Sequence, residues 1–117
     1  MTDDEPRLPD YLGHILEAIE RIARYVEDLD ENGFLANELV QDAVIRNFEI
    51  IGEASHNIEQ QNPEFAAAHP GLPLAIAYRM RNAMSHGYFK VNLEMVWKTI
   101  QNDLPTLHQQ VQESLDE

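Results

Sequence analysis

Apolar residues recur along this chain at helical spacing. Leu12, Ile15, Ile19, Ile22, Val26 and Leu29 follow one another at steps of three or four. Such spacing lines one face of a 3.6-residue turn and predicts a helix of about twenty residues from Leu8. Glu17–Arg21 and Glu20–Arg24 lie off that stripe, four apart, and are expected to form ion pairs. Glu31-Asn32-Gly33 follows, with Gly33 expected to close the helix in a left-handed cap. A second helix is predicted from about residue 36 to about residue 61, with Val40, Val44, Ile51, Ala54 and Ile58 as its stripe. Ala43, Phe48 and Ile50 widen that stripe, so residues 43–54 are apolar on more than one side. A helix of that kind is buried on several faces, within its own domain or against another subunit. Gly52 inside it is expected to mark a close helix contact.

Asn62-Pro63 stops the second helix, because proline disfavours helical backbone in the residue before it. Residues 62–73 then hold Pro63, Pro70, Gly71 and Pro73 and are expected to be the longest loop, with a short helical turn at residues 66–68. A third helix is predicted from Pro73 to near His86, ended by Gly87. Asn92 is the expected cap of a fourth helix carrying Leu93, Val96, Trp97, Ile100, Leu104, Leu107 and Val111. Pro105 falls inside that pattern and should kink or split the helix. No strand-period segment appears. The expected fold is all-α: one domain over residues 1–117, an antiparallel up-down four-helix bundle, with residues 1–7 flexible.

Charge changes the picture. The 117-residue chain has a formal net charge of −13, which opposes unspecific binding to nucleic acid. The acids are unevenly placed. They outnumber the bases heavily in residues 1–65 and again in 102–117. Residues 66–101 hold Arg79, Arg81, Lys90 and Lys98 against the single acid Glu94. The one positive segment therefore contains Arg81-Asn82-Ala83-Met84-Ser85-His86-Gly87-Tyr88. Cysteine is absent, which removes disulfides and thiolate chemistry. No apolar run reaches the roughly 20 residues of a membrane span. The acidic N-terminus lacks the pattern of a secretory leader. A cytoplasmic location is expected, with no membrane and no cofactor. No carboxylate or histidine cluster has metal-ligand spacing.

The octet carries the candidate chemistry. A histidine can take the proton of a ribose 2′-hydroxyl near neutral pH. An arginine can stabilise a crowded phosphoryl transition state through paired donors. Residues five apart on a helix point about 140° apart, so Arg81 and His86 do not share a face. Asn82 and His86 do. One octet is thus a poor complete site, whereas a two-fold dimer would place two arginines and two histidines in one cleft. An arginine and a histidine at a helix end also arise by chance, and a solvated helix end is the plainer reading of those residues alone. Arg46, Glu49 and Glu53 on the second helix fall at steps of three and four and can support a site on one face. His14, His56, His69 and His108 read as surface or structural, and Trp97 as core.

Taken together, the octet continued by Phe89 and the block Asp42-Ala43-Val44-Ile45-Arg46-Asn47-Phe48-Glu49-Ile50-Ile51-Gly52-Glu53-Ala54 resemble the HepT-like ribonucleases of the HEPN superfamily. Residues 16–22 and Val96-Trp97 leading to Asp103-Leu104-Pro105 match as well. The resemblance implies a homodimeric toxin of a type VII-like toxin–antitoxin pair. It implies a metal-independent endoribonuclease that leaves a 2′,3′-cyclic phosphate on RNA such as tRNA or mRNA. By position, Arg81 and His86 would be catalytic and Asn82 would assist. Tyr88 would be AMPylated by a minimal nucleotidyltransferase antitoxin of the MntA type. Ser85 stands where the family has an aliphatic residue, and Leu74 where a tryptophan is expected. The alternative is a non-catalytic helical subunit that binds and regulates a nucleotidyltransferase.

Overall fold

A computed structural model describes residues 7–72 and 92–116. The described chain is all-helical. Helix α1 (Leu8–Val26) is followed by α2 (Glu31–Leu35), α3 (Glu38–Gln61) and α4 (Pro63–Ala68), then by α5 (Leu93–Asn102) and α6 (Leu104–Leu115). The expected third helix, residues 73–86, lies outside the described residues.

Helix α1 is the inner element. Tyr11, Leu12, Ile15, Leu16, Ala18, Ile19, Ile22 and Val26 are all buried. It packs along α3 on one side and α6 on the other. Its first turns meet the second half of α3, since Tyr11 and His14 face Ile50, Ala54 and Asn57. The two helices therefore run antiparallel, as expected. Val44, Phe48, Ile51, Ala54 and Ile58 complete the core from α3; Val96, Ile100, Leu104, Leu107 and Val111 complete it from α5 and α6. Gly52 is buried within α3. Trp97 is half-buried at the edge of the core, its ring tilted 33° against Phe34 at 5.5 Å.

Three expectations need correction. The first helix ends at Val26, and residues 31–35 form α2 in place of a cap. Asp30 takes over the boundary: its Oδ1 accepts the Gly33 N–H at 2.8 Å and caps α2. Gly33 thus has a helical role, and its backbone is not left-handed. The last carbonyls of α2 are met from α3, where Gln41 Nε2 donates to Phe34 O at 2.9 Å and Leu35 O at 3.1 Å. The helical turn expected at residues 66–68 inside the 62–73 loop is present but begins earlier, as α4. Pro63 opens α4, its missing N–H being harmless in a first turn. Third, Glu20 does not pair with Arg24. It reaches across to α6, where His108 Nε2 lies 2.9 Å from its Oε2. The Glu17–Arg21 pair is present.

Other expectations hold. Asn92 caps α5 by accepting the Met95 N–H at 3.1 Å. The last helix is split at Asp103, with Pro105 in the first turn of α6. A cap not singled out from the sequence is Asn37, which caps α3 by accepting the Val40 N–H at 3.1 Å.

Buried polar groups are settled within their own helices. Ser55 Oγ donates to Ile51 O at 2.7 Å, Thr99 Oγ1 to Met95 O at 2.9 Å and Asn47 Nδ2 to Ala43 O at 2.9 Å. Each uses a carbonyl one turn back. Among the described residues, the buried Asn47 Oδ1 has no partner, a cost that native structures rarely carry.

Ile22 is fully buried on α1. Ile22→Ala should lower unfolding free energy by about 2–5 kcal/mol, the range for truncating a buried isoleucine. Leu39→Ala, at an 80% exposed position, should change it by less than about 0.5 kcal/mol. Urea titration of both variants measures the contrast.

Candidate functional site

The described residues form one mixed polar groove that gathers residues expected at a site. Its α3 wall is Arg46, Glu49, Ile50, Glu53, Ala54 and Asn57; its α1 wall is Tyr11 and His14. The steps along α3 are those of one helix face, so the local fold alone brings Arg46, Glu49 and Glu53 together. The α1 wall arrives because α1 and α3 are antiparallel.

Charge in the groove is balanced loosely. Arg46 Nη1 lies 3.8 Å from Glu49 Oε2. This is an ion pair at the outer limit of contact, too long for a hydrogen bond. The Arg46 side chain is 69% exposed and that of Glu49 is 34% exposed. A pair so wet contributes little to stability, and both groups keep bonding capacity for something else. Tyr11 is buried and forms part of the floor. His14 is exposed and meets the Tyr11 ring edge-on, with centroids 6.2 Å apart and planes at 80°. Among the described residues, no three His, Asp or Glu side chains converge as a metal site would require.

A second groove is apolar. Ile19, Ile22 and Ala23 of α1 face Ile100, Leu104 and Pro105, and Glu20 and His108 stand at its edge.

The remaining sequence-derived site residues are Arg81, Asn82, His86 and Tyr88. All four lie outside the described residues. The structure therefore joins Arg46, Glu49 and Glu53 and makes no statement about the octet. The sequence reading missed Tyr11, Asn57 and the groove role of His14. The available signal was the i,i+3 spacing of Tyr11 and His14 at the start of α1. It could be used only once the antiparallel pairing with the end of α3 was known. Two of the histidines read as surface or structural make contacts within the helical scaffold. His69 stacks on Phe65 at 4.0 Å and its Nδ1 lies 2.9 Å from Phe65 O. His108 links α6 to α1.

Comparison with known proteins adds what the described residues do not hold. A family profile described as "Ribonuclease HepT-like" matches residues 15–114. A protein of Thermococcus cleftensis named "Probable ribonuclease HepT" is 43% identical, over 84% of this chain and 86% of its own length. A Methanocaldococcus jannaschii protein named "Putative RNase" is 34% identical, over 87% of this chain and 91% of its own length. A further protein of that organism, whose name joins a gamma-glutamylcyclotransferase to an RNase, is 37% identical over 92% of this chain but only 47% of its own length. No solved structure matches the chain. The matched span includes most of the α1 stripe, the α3 block, the octet and nearly all of the split last helix, and on that ground the chain belongs to the HepT-like ribonuclease family.

Proposed function

We propose that this protein is the toxin of a type VII-like toxin–antitoxin pair, and that it cuts RNA without a metal ion. The observation that carries this reading is the family match over residues 15–114, which spans Arg81 and His86 at the spacing of the signature Arg-x4-His. In the proposed reaction, His86 takes the proton from a ribose 2′-hydroxyl. The freed oxygen attacks the adjacent phosphorus. Arg81 stabilises the charge on the phosphoryl oxygens, and Asn82 assists as a neutral donor. The 5′-oxygen leaves with a proton from a second histidine. The products are a 2′,3′-cyclic phosphate and a 5′-hydroxyl.

One octet has one histidine, so the second proton donor is assigned to His86 of the partner subunit in a homodimer. The positive segment in an otherwise acidic chain supports this placement, since it draws phosphate to one region only. Tyr88, two residues beyond His86, is the proposed site of AMPylation by a nucleotidyltransferase antitoxin. The adduct adds bulk and negative charge beside His86 and would repel an RNA phosphate. No helix among the described residues is long and apolar enough to cross a membrane, in keeping with action on cellular RNA, tRNA or mRNA.

Purified protein should cut RNA in excess EDTA. His86→Ala should lower the rate by at least about 100-fold, the scale of losing a general acid–base group. Equal cutting by wild type and variant would remove His86 from the reaction. Harmless expression with no cutting would favour the non-catalytic regulatory subunit. Tyr88→Phe should still cut RNA but should gain no AMP when incubated with a cognate nucleotidyltransferase and ATP. Intact-mass spectrometry reads that difference, and AMP on the Tyr88→Phe protein would move the modification elsewhere.

A further inference from the structure

The groove between α1 and α3 holds a carboxylate whose bonding is unfinished. Among the described residues, the one interaction of Glu49 is the 3.8 Å approach of Arg46. Arg46 is itself mostly exposed and can swing toward solvent. Beside them stands the exposed His14 ring, held edge-on against buried Tyr11. The groove thus offers a paired acceptor, an exposed cation and a flat ring within one cleft. Among the described residues, the carboxylates do not converge with a third ligand on a cation site.

A ligand that satisfies all three must be flat, must present N–H donors at its edge and must carry an anion nearby. A nucleotide in single-stranded RNA has that composition, with its base free to stack on a ring and be read along its edge. The bases differ at that edge. Guanine presents two adjacent donors, N1–H and the N2 amine, which match both oxygens of one carboxylate. Adenine and cytosine present one amine beside an acceptor that a carboxylate repels. Uracil presents one N–H between two carbonyls.

We propose that this groove is a guanosine-reading subsite for the RNA substrate. Glu49 accepts from the guanine edge, His14 stacks on the base and Arg46 holds the adjoining phosphate. The proposal rests on the ribonuclease reading for its biological setting. Its test is binding, which does not depend on cleavage.

The probes are fluorescent 2′-O-methyl octanucleotides of oligo-A carrying one central guanosine, inosine or adenosine. They cannot be cut by 2′-hydroxyl attack. Fluorescence anisotropy with the full chain gives Kd for each. The guanosine probe should bind at least about ten-fold tighter than the other two, the discrimination of one bidentate pair. Inosine keeps N1–H and lacks the N2 amine, so it isolates the second donor. Glu49→Gln, at a position open to water, should erase the preference while the circular dichroism spectrum stays that of wild type. Arg46→Ala should weaken all three probes alike and flatten the salt dependence. Equal affinity for the three probes, a preference that survives Glu49→Gln, or binding of a lysine-rich peptide with no oligonucleotide bound would each overturn the proposal. Failure of the ribonuclease reading shows separately, as unmethylated RNA left intact by wild type.

Discussion

Burial of the α1 stripe is the constraint on which the described structure depends. Leu12, Ile15, Ile19, Ile22 and Val26 form one line of side chains, each nearly or wholly withdrawn from water. Only partners on two sides can cover them, and α3 and α6 are those partners. Burying side chains of this size is worth roughly 1.5–3 kcal/mol each before conformational entropy is set against it. Among the described helices, no other contributes as many buried apolar residues. The antiparallel approach of α3 follows from the short link through α2, and with it the groove in which Tyr11 and His14 meet Arg46, Glu49 and Glu53. The α1 wall of the candidate site is thus made by buried Tyr11 and the exposed His14 beside it.

The distribution of charge is the second organising feature. An acidic chain that acts on RNA must confine its positive potential, because phosphate is repelled by most of its surface. The sequence does so in residues 66–101, and Arg46 adds an exposed cation in the groove. A net charge of −13 also suits a protein whose proposed inhibitor works by adding an anion at Tyr88. Where local attraction is supplied by few cations, one AMP group can offset a large share of it.

The long helices were legible because their stripes keep one period over many turns. Every stripe residue from Leu12 to Val26 is buried, and Pro105 divided the last helix as its missing N–H requires. The errors fell at boundaries, where short-range chemistry competes. Gly33 looked like a cap because glycine often is one, yet Asp30 three residues before it supplies a side-chain cap and turns the same stretch into α2. Glu20 looked committed to Arg24 because spacing along one helix is visible in a sequence. Its partner His108 lies 88 positions away and becomes available only through packing. The candidate site divides in the same manner. Arg46, Glu49 and Glu53 share a face by helical arithmetic, whereas Tyr11, His14 and Asn57 join them only through the pairing of two helices.

The central proposal is that two copies of the octet make one site, with one His86 as base and the other as acid. Mixing wild-type and His86→Ala subunits, exchanged to equilibrium at fixed total concentration, tests it directly. A shared site requires both histidines, so RNA cleavage should fall as the square of the wild-type fraction: half wild type should give about one quarter of the full rate, by random pairing in a two-fold dimer. A rate that falls in direct proportion to the wild-type fraction would mean that each subunit completes the reaction alone, and would contradict the account.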